Sequence, residues 1–267
     1  MTISACVPCH NNEATITKAV RSLSAQTVKP IEVFGVDDGS TDRSAEIARE
    51  TGAKVVAMGA NLGRGAARAK AIEVSSGDLV LSVDGTAALA PDFTGKVLPW
   101  FDDPKMAAVF GRITQSSPRG PVDRWRGRHL YKLDETDEAR IADSLITWGV
   151  MMRRSAILEV GNFDASLRHS EDAELGERLI AAGWKIGYEP SALVQTLVSN
   201  TLGQVMERYW RWNSGVRPVF RFRDYLRMIS YSCKVLAARD LRSRDLPSAA
   251  FSVLLPHYCA YRTLRRK

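Results

Sequence analysis

At 267 residues, with 45% hydrophobic and 25% charged side chains, the chain has the make-up of a soluble globular protein: one large α/β domain, or a domain and a tail. No stretch reaches the roughly 20 apolar residues of a membrane span, and the best candidate, Ala249 to Leu255, is short and closed by Pro256. Met1 leads into Ile3-Ser4-Ala5-Cys6-Val7 without a basic n-region, so no secretory signal is expected and the expected compartment is the cytoplasm.

The first half alternates strand and helix. Ile3 to Pro8 reads as a strand, and Asn12 opens a helix with Ile16, Val20 and Leu23 on one face. Ile31 to Val36 is a second strand, ended by Asp37-Asp38-Gly39-Ser40, after which a helix runs through Ile47. Lys54 to Met58 is a third strand, Arg64 to Val74 a helix and Leu79 to Val83 a fourth strand. This alternation predicts a mostly parallel sheet flanked by helices, with right-handed crossovers. Ligands bind such sheets beyond the carboxyl ends of the strands. The clusters His10-Asn11-Asn12, Asp37-Asp38-Gly39, Asn61-Leu62-Gly63 and Asp84-Gly85-Thr86 all fall there and are expected in one pocket.

The second half is less regular. Ala107 to Ile113 reads as a strand, and Pro118 to Arg140, polar and weakly periodic, as a mobile excursion over the pocket. Leu145 to Met152 reads as a strand, Ser155 to Val160 as a short helix, Ala173 to Ala182 as a helix and Lys185 to Tyr188 as a strand. From residue 204 onward a helical extension is expected, dividing the chain into 1–203 and 204–267.

Charge is divided just as unevenly. Residues 204–267 hold 14 Lys and Arg against 4 Asp and Glu, a net +10, while the first 203 residues net −3. The tail mixes these cations with aromatics (Arg217, Phe220, Arg221, Phe222, Arg223, Tyr225, Arg227, Tyr231), and Asp224 to Ala238 suits an amphipathic helix on an anionic membrane surface. A helical cap on the sheet is the alternative. Basic and aromatic interleaving also suits single-stranded nucleic acid, but no RNA-binding signature accompanies it and no nucleic-acid partner is expected. Cys6-Val-Pro-Cys9 has redox spacing, yet Cys6 sits inside a strand rather than at a helix start, which predicts buried, inert thiols.

Two adjacent carboxylates beyond a strand end, Asp37 and Asp38, can accept from a nucleobase N–H and a ribose hydroxyl; D-D-G-S-T is equally good turn and cap chemistry. The surrounding motifs carry more. Val7-Pro8-Cys9-His10-Asn11-Asn12-Glu13, Ser22-Leu23-Ser24-Ala25-Gln26-Thr27 and Val36-Asp37-Asp38-Gly39-Ser40-Thr41-Asp42 match I-P-x-Y-N-x-E, S-L-x-x-Q-T and V-D-D-G-S-T-D in order. Asn61-Leu62-Gly63 with Ala67-Arg68, then Gly161-Asn162-Phe163-Asp164, then Glu171-Asp172-Ala173-Glu174-Leu175 with Arg178 and Gly183 continue the series. Through about residue 212 the chain resembles the family 2 glycosyltransferases.

That resemblance implies a GT-A fold, a nucleotide-diphosphate sugar as donor, a hydroxyl acceptor such as a lipid-linked glycan, and inversion at the anomeric carbon. It places Pro8, Asn11, Glu13, Asp38, Arg68 and Asp84 at the donor. Asp172 falls at the general base, since the attacking alcohol must lose its proton as the C–O bond forms; a helix-start charge is the alternative. Arg64, Arg68, Arg208 and Arg211 are candidates for the diphosphate, with a solvated helix face the alternative for Arg64 and Arg68. Trp148, Trp210 and Trp212 suit either sugar stacking or core packing.

The metal motif departs from the pattern. The family's D-x-D falls on Asp84-Gly85-Thr86, and its later His ligand falls on Thr196, so two hydroxyls replace a carboxylate and an imidazole. Hydroxyls hold a hard divalent ion far less well, and the expectation is that no Mg or Mn ion is tightly bound. A shift of two residues would set Ser82 and Asp84 as the pair, with one carboxylate still missing. The alternative to catalysis is a nucleotide-sugar-binding partner subunit.

Overall fold

Strand β1 (Ile3–Cys9) is buried along almost its whole length because it lies inside the sheet, with β2 (Glu32–Asp37) on one side and β4 (Leu79–Val83) on the other. The computed structural model describes residues 1–115, 120–134, 138–214 and 221–265, with backbone alone at 213 and 214. It forms two compact units, residues 1–114 with 136–198, and residues 115–135 with 199–267.

In the first unit the chain continues from β1 through α1 (Ile16–Ser24), β2, α2 (Ser44–Glu50), β3 (Lys54–Ala57), α3 (Arg64–Val74) and β4. Then come β5 (Ala87–Leu89), α4 (Phe93–Val97), a 3₁₀ turn (Leu98–Asp102) and β6 (Met106–Gln115). After α5, which belongs to the second unit, follow β7 (Arg140–Ile141), β8 (Gly149–Arg153), α6 (Arg154–Glu159), α7 (Glu171–Ala181) and β9 (Lys185–Thr196). The nine-stranded sheet runs β3-β2-β1-β4-β8-β6-β9-β5, with β7 paired to β9. Pairing is parallel from β3 to β4 and antiparallel from β4 to β8, β8 to β6 and β9 to β5. The expected parallel arrangement therefore describes half of a mixed sheet. Beyond β4 the strand–helix–strand spacing that enforces parallel crossovers lapses, and the later strands run back along their neighbours.

Strand alternation sorts the side chains into two cores. Ile3, Ala5, Val7, Leu79 and Leu81 join Ile16, Val20 and Leu23 of α1 on one face. Cys6 and Val80 join Ala67, Ile72, Ile157 and Leu175 of α3, α6 and α7 on the other. Full burial of each large aliphatic side chain stabilises by about 1.5–3 kcal/mol, so α1 is held by its apolar stripe. Cys6 and Cys9, three apart on a strand, enter opposite cores. Burial pushes their thiols up to about 11 and about 12, which leaves them inert, as expected.

Two elements differ from the sequence reading in extent. Residues 145–148 are not strand: Leu145 and Thr147 are buried in an irregular approach to β8, so apolarity there reports burial rather than extension. Strand β9 reaches Thr196 instead of ending at Tyr188, with exposed and buried positions alternating near its end.

The second unit comprises α5 (Pro121–His129), α8 (Leu202–Ser214), α9 (Phe222–Tyr231), a π-helical stretch (Ser232–Ala237), α10 (Ala238–Arg242) and α11 (Leu246–Leu264). Trp125, Val205, Tyr209, Trp210, Leu236, Leu255 and Cys259 form its core. Of the segment Pro118 to Arg140 expected as a mobile excursion, residues 121–129 form α5, the described residues 130–134 and 138–139 are irregular, and Arg140 opens β7. The charges of α5 are satisfied inside its own unit: Arg124 pairs with Asp245 at 2.8 Å, and Arg128 and His129 both meet the fully buried Asp240. The helix inside this polar, weakly periodic segment is thus held by ion pairs. The boundary expected at 203/204 falls instead at 198/199, and residues 115–135 join the C-terminal unit.

Pro256 does not end its helix. A proline inside a helix removes the N–H that would bond the carbonyl four residues earlier. That carbonyl, on Ser252, accepts the Ser232 hydroxyl at 2.8 Å, and α11 runs on to Leu264. No described helix is long and apolar enough to cross a membrane.

Candidate active site

Strands β2, β1 and β4 run parallel, so the loops after them emerge on one edge of the sheet. Because the chain leaves β1 toward β2 and β3 on one side and returns to β4 on the other, the ends of β1 and β4 border the point where strand order reverses, the place at which such sheets take ligands. Thr15 bridges the two ends, donating to the Gly85 carbonyl at 2.6 Å. The approach is close enough that a Cβ on Gly85 would stand 2.5 Å from Asn12 Oδ1, so a larger residue there would have to displace the Asn12 side chain.

The loops after β1 and β2 are laced together. Asn11, in the left-handed region at φ 52°, accepts from Thr41 N at 2.8 Å, and its own N–H donates to Ser40 Oγ at 3.0 Å. Asn12 N donates to Ser44 Oγ, and the exposed Glu13 accepts from Arg43 N at 3.2 Å. Pro8 lies within β1 in register with Val36. Asn11 and Glu13 therefore build this rim through side chains, and Pro8 through its place in the strand.

The two adjacent carboxylates divide their labour. Asp37 accepts from Ser40 N at 3.2 Å and closes the turn. Asp38, only 5% exposed, accepts from Leu62 N at 2.7 Å and Gly63 N at 2.9 Å, fixing the start of α3. Both act on the protein's own backbone, in keeping with the turn chemistry legible in the motif.

Helix α3 is seated as firmly at its other contacts. Gly65 N donates to the Leu167 carbonyl at 3.0 Å, and a Cβ on Gly65 would lie 2.1 Å from the Asp164 carbonyl. Arg64, at the first position of α3, is exposed. Arg68, one turn on, is 4% exposed and lies between two carboxylates: Nη2 donates to Asp84 Oδ1 at 2.6 Å and Nε to Glu171 Oε1 at 3.0 Å. Nη1 is buried without a protein acceptor. Asp84, Glu171 and Asp172 together outweigh burial and hold the guanidinium charged.

Asp172 occupies the first turn of α7 beside Glu171. Thr147 Oγ1 donates to Asp172 Oδ2 at 3.2 Å, and Ala173 N to Oδ1 at 3.0 Å. Burial pushes its carboxyl above the usual carboxylate range, the charge of Glu171 adds to this, and Arg68 opposes it. A carboxylate so raised is a better proton acceptor near neutral pH than an ordinary Asp. Thr147, in an irregular segment, carried no sequence signal, and the link from Arg68 to Glu171 spans 103 residues.

Thr86 and Thr196 meet on neighbouring strand ends. Ala87 pairs with Thr196 in the β5–β9 register, and Leu197 N donates to the Thr86 carbonyl at 2.9 Å. The two positions expected to replace metal ligands therefore belong to one locality. The aromatic candidates divide. Trp148 packs on the core beneath the sheet and donates from Nε1 to the Gly111 carbonyl at 2.9 Å. Trp210 is buried in the second unit and bonds Thr263, whereas Trp212 on α8 is 45% exposed. Arg208 lies on the same helix over the Trp212 ring, with Nη1 donating to Tyr131, and Arg211 is partly buried there. Arg217 and Phe220 fall outside the described residues.

Comparison with known proteins supplies the context for this geometry. The family model "Glycosyl transferase family 2" matches residues 4–161, and "Glycosyl transferase family 21" matches residues 146–264. N-acetylglucosaminyltransferases of Rhizobium leguminosarum bv. viciae and Sinorhizobium fredii are 29% and 30% identical over 239 residues, 80% of this chain. The chain spans 55% and 56% of those relatives' lengths, so it corresponds to just over half of each. Among solved structures, S. aureus TarS 1-349 in complex with UDP aligns with TM-score 0.58 and 17% identity, covering 99% of this chain and 92% of that one. The mannosyltransferase PcManGT from Pyrobaculum calidifontis, in complex with GDP-Man and Mn2+, aligns with TM-score 0.59 and 16% identity, covering 98% and 72%. With the motifs in order at the strand ends and more than half of its length matched, the chain belongs to glycosyl transferase family 2.

Proposed function

We propose that the first unit transfers a sugar from a nucleoside diphosphate to a hydroxyl acceptor, with inversion, and that Asp172 is the general base. One observation carries this reading: Arg68 ties Asp84, at the donor strand end, to Glu171, the neighbour of Asp172, so the donor-side and base-side carboxylates form one charged set. Pro8, Asn11, Glu13 and Asp38 frame the donor side, and Arg64, exposed at the start of α3, is available to a phosphate oxygen. The curated relatives are named N-acetylglucosaminyltransferases, which makes N-acetylglucosamine the first sugar to test. A lipid-linked glycan or growing polysaccharide is the proposed acceptor class. The basic second unit is proposed to rest on an anionic membrane surface at the cytoplasmic face.

The donor set does not fit a tightly held divalent ion. Asp84 is engaged by Arg68 at 2.6 Å, and the other two ligand positions carry the hydroxyls of Thr86 and Thr196. The same substitutions favour the one competing reading, a non-catalytic nucleotide-sugar-binding subunit. Calorimetry with UDP, GDP and TDP, followed by transfer assays over a nucleotide-sugar panel, separates the two. Binding with turnover is the expected result. Binding without turnover selects the non-catalytic reading, and no binding by any of the three overturns both.

A further inference from the structure

Buried guanidinium groups are costly unless their charge and donors are met. Arg68 is buried in a helix whose Ala67, Ala69 and Ala71 are buried too, and its guanidinium donates to Asp84 and Glu171. These partners come from two places, the loop after β4 and the first turn of α7. The helix that carries Arg68 is tied down near its start, where Asp38 accepts from Leu62 N and Gly63 N, and Gly65 N donates to the Leu167 carbonyl at 3.0 Å in a contact with no space for a Cβ. The planar fork presents Nε and Nη2 at once, a two-carboxylate geometry that the single ammonium of a lysine cannot reproduce.

We propose that Arg68 is a positioning residue whose fixed internal cation sets the distance and relative charge of Asp84 and the Glu171–Asp172 pair, in a site whose ligand positions lack the carboxylate and imidazole for a divalent ion. It acts through these carboxylates. This rests on the assignment of Asp172 as base in the proposed function. The consequence is an electrostatic tug on Asp172 from opposite sides: Glu171 raises its carboxyl and Arg68 lowers it, with Thr147 and Ala173 supplying hydrogen bonds.

Opposite signs make the test specific. Arg68→Gln removes the cation, so the acid limb of kcat should move to higher pH. Glu171→Gln removes the neighbouring anion, so the limb should move to lower pH. Arg68→Lys keeps the charge and loses the fork, so the limb should stay near its wild-type position while kcat falls by roughly 10²-fold, the scale of a small misplacement of reacting groups. Donor KM should change much less than kcat. The carboxyl ¹³C resonance of Asp172, followed against pH without nucleotide, reads the same two shifts without requiring turnover. A chain that transfers no sugar would thus fail the functional reading and still decide this one. Thermal unfolding of each variant identifies loss of the fold, and should Arg68→Gln not fold, Arg68→Lys and Glu171→Gln suffice. Identical Asp172 titration in wild type, Arg68→Gln and Glu171→Gln, or wild-type kcat in Arg68→Lys, overturns the proposal.

Discussion

At the residue scale, the proposed general base Asp172 offers the most direct test. Asp172→Asn preserves shape and removes the proton acceptor, so kcat should fall by at least about 10²-fold with nucleotide affinity nearly unchanged. Steady-state kinetics with calorimetry check this, and wild-type turnover in the variant eliminates Asp172 as base. Because its carboxyl is raised by burial and by Glu171, activity should decline with falling pH through a value above the ordinary Asp range. Thr86 and Thr196 lead to a second expectation: with Asp84 held by Arg68, transfer should largely survive EDTA. A crystal structure with UDP and Mn²⁺ showing an occupied ion on two or more protein side chains would contradict it. The identities of Asp38, Asp84 and Asp172 were legible in their motifs, since each follows a strand or opens a helix in a recognisable string. Their partners were not. Leu62 and Gly63 N–H on Asp38, Arg68 on Asp84 and Thr147 on Asp172 are set by contacts between distant segments, which local patterning does not encode.

At the scale of elements, the helices of the first half followed from periodicity, and Arg64–Val74 coincides with its sequence range because Gly63 before it and Ser75-Ser76-Gly77 after it punctuate the chain. Helix α5 leaves little periodic signal because its apolar content is low and its order comes from Asp240 and Asp245 elsewhere. Those carboxyls are held below the usual range, Asp240 against its burial by His129, Ser252 and Arg128, and Asp245 chiefly by Arg124. A folded pKa depressed below the unfolded value contributes stability that is present above the unfolded pKa and is lost as pH falls through the folded one. The second unit should therefore lose stability on acidification below about pH 4, the ordinary Asp value. Asp240→Asn, which removes the buried anion shared by Arg128 and His129 and leaves Arg128 only the longer 3.4 Å contact to Asp245, should destabilise by about 3–5 kcal/mol. Tryptophan fluorescence during acid and urea titrations checks both, and an acid transition unchanged in Asp240→Asn would remove this account. Pro256 teaches the same lesson from the other side: sequence marks it as a stop, yet a hydroxyl from Ser232 replaces the missing donor.

At the scale of the molecule, charge is segregated between a tail of +10 and a remainder of −3. In the second unit, α9 has no buried residue, and Phe222, Leu226 and Tyr231 are exposed along with Arg223 and Arg227. Each basic group near an anionic bilayer contributes on the order of 1 kcal/mol, screened by salt. Arg223→Glu with Arg227→Glu should reduce co-sedimentation with anionic vesicles while leaving the fold intact. Pelleting equal to wild type, or no pelleting by either protein, removes membrane attachment from the account. Deleting the tail is a poorer test, because α8 to α11 share their core with Trp125. What the sequence by itself determined was family, the parallel first half of the sheet and the strand-end residues, because these depend on short-range periodicity and on motifs a few residues long. The tertiary structure alone decided the antiparallel second half, the membership of residues 115–135 in the C-terminal unit and the joining of Asp84 to Glu171 through Arg68. Each of these depends on which distant groups can satisfy a buried backbone or charge, and that choice is made only when the chain has packed.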